Sequence, residues 1–203
     1  MPTTANNLAF SQELDNWLKS NHPKTIAGLI EASGEKSFAM VFLVLMAIPA
    51  LPIPTGGVTH VFEVIVMLLA LELVIGRTTI WLPQKWFNRR LGKTIEQRSL
   101  PYLIKKIKWL EKYARPRFRG VLANRQYLRL VGLIVIFLTL AAFLAPPFSG
   151  LDTVPSLGVV LIALGLILED MVVFIGGLIV GSLGVFITVV FGAALTEAVK
   201  QLV

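Results

Sequence analysis

Proline constrains this chain more than any other residue, because its prolines fall where apolar sequence would otherwise run on uninterrupted. One apolar block, residues 37–76, is cut by IPALPIPTGG, which carries Pro49, Pro52, Pro54, Gly56 and Gly57. A second, from residue 130, is cut at Pro146, Pro147, Gly150 and Pro155. Proline removes a backbone donor and clashes with the preceding helical turn, so neither block can be one straight helix. In hydrocarbon, an irregular backbone survives only where it is buried in protein or faces water. The stretch 38–49 is also too short to cross a bilayer alone, which takes about 20 residues. Each block therefore reads as a helical hairpin with a proline-broken tip, open to a re-entrant arrangement.

Composition explains why a bilayer is the relevant solvent. At 203 residues the chain is 55% hydrophobic and only 15% charged, unlike a water-soluble domain of that size. A third apolar stretch, residues 172–199, contains Gly176, Gly177, Gly181 and Gly184 and predicts a C-terminal transmembrane helix. Gly177 and Gly181 have the small-xxx-small spacing that lets helix backbones approach closely, within one chain or between two.

Charge then sets orientation. Of the 19 Lys and Arg residues, 15 lie between Arg77 and Arg129. Basic segments are retained on the cytoplasmic side, beside anionic headgroups, so residues 77–129 are placed in the cytoplasm with anionic lipid as a partner. Within them Leu103, Ile107, Leu110 and Ala114 line one helical face and Lys105, Lys108, Lys112 and Arg115 another, as in an interfacial helix. Trp81, Trp86, Phe87, Tyr102, Trp109 and Tyr113 supply rings that settle at headgroup depth. Binding to nucleic acid is disfavoured, because the basic residues lie between membrane segments and no recognition motif accompanies them. The N-terminal segment lacks a signal-peptide pattern and is expected to stay cytoplasmic. It carries helical spacing at Leu14, Trp17, Leu18 and again at Ile26, Leu29, Ile30.

The expected fold is all-α: a polytopic helical membrane protein of the bacterial inner-membrane type. Residues 1–36 are read as amphipathic cytoplasmic helices, 37–76 as the first hairpin, 77–129 as the basic connector, and 130–203 as the second hairpin with the C-terminal helix. Sliding the sequence by 93 residues sets LLALEL (68–73) on LIALGL (161–166) and Pro54 on Pro147, which reads as a diverged internal repeat.

Ionisable residues in apolar segments are costly and invite a functional reading. Glu63, Glu72, Glu169 and Asp170 are the leading candidates. His60 lies three residues before Glu63 on one helix, where the two could share a proton, bind a cation or merely satisfy each other. The same slide sets Arg77 on Asp170, opposite charges at equivalent helix ends that could form a salt bridge. Asp152 is read as the cap of the returning helix. No cysteine is present, and metal-ligand clusters and the common catalytic and cofactor signatures are absent, so neither an enzyme, a metal nor a cofactor is expected.

IPALPIPTGG (48–57), GRTTIWLP (76–83) and WLEKYARPR (109–117), in that order, resemble the ExoD family of exopolysaccharide synthesis proteins over roughly residues 10–200. The family pattern has an Asp-Gly pair in the second half, where here Asp170 is followed by Met171. The resemblance implies an inner-membrane protein associated with exopolysaccharide production, without assigning a molecular activity. Two functions fit the residues: a small transporter or channel for an ion or small anionic solute, or a scaffold docking lipid or the polysaccharide assembly machinery. A chain this short with four or five membrane segments is expected to act as a homodimer.

Overall fold

In the computed structural model the described residues are 9–51, 59–81, 85, 88–93, 96–97, 100–115, 124–146 and 149–202. Pro52, Pro54, Pro147, Trp86 and Phe87 lie outside them. Among the described residues every named element is helical, and the one β-type pairing is a bridge between Thr25 and Arg90.

Two short helices open the chain, α1 (Phe10–Lys19) and α2 (Ile26–Ser33). Thr25 starts α2 by accepting from Gly28 N at 3.1 Å, satisfying one of the donors a helix start leaves open. A single 3₁₀ turn, Gly34–Lys36, leads into α3 (Ser37–Met46), which stops before Pro49. After the first break α4 runs Thr59–Ile75. The amphipathic connector helix α5 (Leu100–Glu111) buries Leu100, Ile104 and Ile107 and packs on α1. Its buried face is set slightly toward the N-terminus of the expected one, because the helix ends at Glu111 and leaves Ala114 and Arg115 beyond it. Glu111 ties it to α1 by accepting from Ser11 N at 3.0 Å and from the Ser11 hydroxyl. Lys105, Lys108, Trp109 and Tyr113 remain exposed, as a face turned to a headgroup layer requires.

The remaining helices are α6 (Arg125–Phe143), α7 (Thr153–Leu168) and α8 (Met171–Leu202). Arg125–Phe143 and Met171–Gly192 are long and apolar enough to cross a membrane. Helix α6 begins inside the stretch read as connector, because Asn124 accepts from Gln126 N at 3.0 Å and caps a helix ahead of the apolar run. Pro155, read as part of the second break, sits in the first turn of α7, where its missing N–H costs nothing.

Packing crosses between the halves. The main partner of α4 is α6, and α3 packs chiefly on α7. In the antiparallel α4–α6 pair a Cβ on Gly132 would lie 2.7 Å from Ala70 O, and the His60 and Phe143 rings meet at 5.2 Å. At the opposite end Lys36, just before α3, donates to Ile167 O at 2.8 Å at the end of α7. The proline breaks thus lie at one end of the bundle, and α1, α5 and the connector at the other.

Several residues 93 apart are alike in burial. Val66 and Val159, Ala70 and Ala163, Phe42 and Val135, and Leu14 and Ile107 are all buried pairs. Thr59 donates to Asp152, its counterpart, at 3.4 Å. Helix α4 ends with Arg77 N bonded to Glu72 O and Gly76 at φ 95°, and α7 ends with Asp170 N bonded to Gly165 O and Glu169 at φ 53°. Both ends are the left-handed cap in which a 6→1 hydrogen bond recovers an orphan carbonyl. Both also receive a cation near the carbonyl pole, Lys36 at α7 and the Arg129 guanidinium beside Gly76.

Helix α8 follows α7 directly. It packs on α7 with almost no side chain between them: a Cβ on Gly158 would collide with Gly181 Cα, and one on Gly165 would lie 2.6 Å from Phe174 N. The small-xxx-small pair therefore works within the chain, Gly177 against Ile162 and Gly181 against both α7 and Leu138 of α6.

Candidate functional site

Glu63 has no exposed surface, although it sits in the middle of THVFEVIVMLLALELVI, and its Oε2 lies 2.6 Å from His60 Nδ1. The three-residue spacing puts both on one face of α4, and packing of α4 on α6 sets that face inward. His60 is a quarter exposed and rests edge-on against Phe143. At that separation the imidazole and the carboxylate can share one proton. The second carboxylate oxygen, Oε1, has no hydrogen-bond partner among the described residues.

Near this pair lies Asp152. Its side chain does not cap α7, contrary to expectation; the backbone carbonyl alone serves the helix, accepting from Ser156 N, and the carboxylate reaches Thr59. Of the break prolines, Pro49 is buried and Pro146 half-buried.

The other four candidates lie at the connector end, about 15 Å from Glu63 along α4 at the helical rise. Glu72 accepts from Trp81 N at 2.8 Å, fixing how the chain leaves α4. Arg77 stacks over the Trp81 ring, 5.9 Å from its centroid. Glu169 pairs with Lys36 at 3.0 Å. Asp170 accepts from Arg115 N and from Val172 N, both at 2.9 Å, so it starts α8 and pins the connector there. Arg77 and Asp170 are not brought together; each holds its own helix end.

Between the two ends the core changes character. A cavity of about 690 Å³ opens at the connector end, lined by Phe38, Phe42, Leu73, Arg125, Leu128 and Leu166 among others. Beyond Phe42, the buried Val66, Val135 and Val159 fill the bundle and separate the cavity from the level of Glu63. Two further residues matter at that level, Thr139 and Ser156, both buried with unpartnered hydroxyls among the described residues. Hydroxyls in apolar helices commonly bond back to their own turn, so neither drew attention as sequence.

The molecule is thus a helical protein with helices long enough to cross a membrane and a buried acid–histidine pair near a break in its apolar helices. It belongs to the ExoD family, described as "Exopolysaccharide synthesis, ExoD", which matches residues 10–190. Among similar proteins, the uncharacterized protein slr1875 of Synechocystis sp. (strain ATCC 27184 / PCC 6803 / Kazusa) is 31% identical over 93% of this chain and 86% of its own length. Protein ExoD of Rhizobium meliloti (strain 1021) is 26% identical over 75% of this chain and 64% of that protein. No solved structure matches the chain.

Proposed function

We propose that this ExoD-family protein is a small multi-pass inner-membrane transporter or channel for an ion, with the His60–Glu63 pair as its polar translocation site. The observation that carries the reading is a fully buried carboxylate, half of it unpartnered among the described residues, inside a mostly apolar helix. Such a group is expensive in a bilayer and is retained where it serves a pathway. The correspondences at a spacing of 93 residues support reading the hairpins as two parallel copies of one unit, related by an axis along the helices. Transporters build polar sites between repeats of this kind. The cavity at the connector end then serves as the cytoplasmic vestibule, and Phe42, Val66, Val135 and Val159 as the barrier to be opened.

Flux of ions into liposomes containing the purified protein tests this reading. Loss of flux with Glu63→Gln, and its retention in a folded Asp170→Asn protein, supports it. Absence of flux for wild type across monovalent and divalent ions and small anions overturns it.

A second reading, a scaffold that docks anionic lipid or the polysaccharide assembly machinery, is favoured by one observation: α5 leaves Lys105, Lys106 and Lys108 exposed beside Tyr102 and Trp109. Replacing those lysines should then impair function more than Glu63→Gln. In a homodimer, the exposed apolar stripe of α4, Val61, Leu68 and Ile75, is the face we assign to the partner copy.

A further inference from the structure

The transport reading leaves its ion unnamed, and the inference drawn here, which rests on that reading, names it. Glu63 Oε1, Thr139 Oγ1 and Ser156 Oγ are buried side-chain oxygens without hydrogen-bond partners among the described residues. Each such atom in a folded protein calls for an explanation, an ion or water among them. These three share one level of the bundle. Gly132 lies against Ala70, and two turns further along the antiparallel pair the same register sets Thr139 beside Glu63. The Thr59–Asp152 contact brings the starts of α4 and α7 together, and four residues on from each stand Glu63 and Ser156. Ser156 is the counterpart of Glu63 at the 93-residue spacing, so the two halves present one carboxylate and one hydroxyl to a common point.

We infer that Glu63, Thr139 and Ser156 form an oxygen-lined site for one monovalent alkali cation of the sodium class. One carboxylate and two hydroxyls are hard oxygen donors of the type alkali and alkaline-earth cations take. Charge count selects the monovalent ion: among the described residues no three His, Asp or Glu side chains gather as a divalent site needs. Two titratable groups lie near Glu63, His60 on α4 and Asp152 at the start of α7. The residues facing it from α6 and α7, Thr139 and Ser156, are uncharged, as is Met46, buried at the end of α3.

The experiment is binding of radiolabelled sodium to the purified chain, run beside the liposome flux. Wild type should bind sodium saturably. Ser156→Ala and Thr139→Val should each weaken binding about tenfold, the scale of one lost buried hydrogen-bonding group, with unchanged helicity and melting. Thr139→Ser, which keeps the hydroxyl, should restore it and covers the case in which Thr139→Val fails to fold. In the exchange Glu63→Ser with Ser156→Glu, which keeps one carboxylate and two hydroxyls, sodium binding should persist. Sodium binding absent from wild type, or indifferent to the hydroxyl variants, overturns the sodium site; proton flux without sodium binding does so while leaving the transport reading intact. Sodium binding without flux overturns transport and keeps the site.

Discussion

Glu63, Gly76 and Glu169 show how single residues divide between site and scaffold. Glu63→Gln keeps the shape of a buried side chain and removes its charge, so the folded protein should survive and any ion flux should fall at least about tenfold; a melting curve alongside the flux assay separates the two effects. Gly76 is different. Its left-handed conformation strains any side chain, and the adjacent Arg129 guanidinium would have to shift to admit one. Gly76→Ala should destabilise by about 1–2 kcal/mol from the backbone alone, read as a lower midpoint of unfolding in detergent. Glu169 takes the same conformation in the other half with a side chain, offset by its pairing with Lys36. Glu169→Gly should therefore change stability by less than about 1 kcal/mol, as relief of left-handed strain offsets loss of a partly exposed ion pair. Lys36→Met should cost more, because it also strips the cation from Ile167 O at the end of α7.

Helices α4 and α7 were legible in the sequence because each apolar run has clear edges. Helix α4, Thr59–Ile75, closes the block read as 37–76, and Gly76 marks the stop. The start of α6 was hidden, since Asn124 caps a helix amid basic residues that hydropathy assigns to the connector. His60 and Glu63 could be paired from their spacing. Thr139 and Ser156 could not, because their meaning depends on which helices face one another; the slide of 93 residues held the hint, setting Ser156 on Glu63. Packing of α7 on α8 was only half legible: the glycines announced close approach, and whether it lay within or between chains took the structure. Gly158→Val drives a branched side chain into the α8 backbone and should cost about 3 kcal/mol or more. Gly176→Ala, with nothing within 4 Å of the added carbon, should be neutral or stabilising by the same melting measurement.

The whole molecule is polarised, with the basic connector and α1 at one end and the proline breaks at the other. The chain contains no cysteine, so single introduced cysteines report position without background. With the connector cytoplasmic, a membrane-impermeant maleimide added to spheroplasts should label Leu51→Cys, at the exposed start of the first break, and spare Lys105→Cys until the membrane is opened. The reverse pattern would invert the orientation and place the cavity on the outer side.

The crossed packing also has a consequence for biogenesis. Because α4 rests on α6 and α3 on α7, the first hairpin leaves the ribosome without its principal neighbours. It must wait while the connector is translated, several seconds at roughly 5–20 residues per second. Throughout that interval Glu63 has neither α6 nor α7 to shelter it. An insertase or chaperone that shields this hairpin during synthesis would be a requirement for making the protein at all, whatever the finished molecule carries.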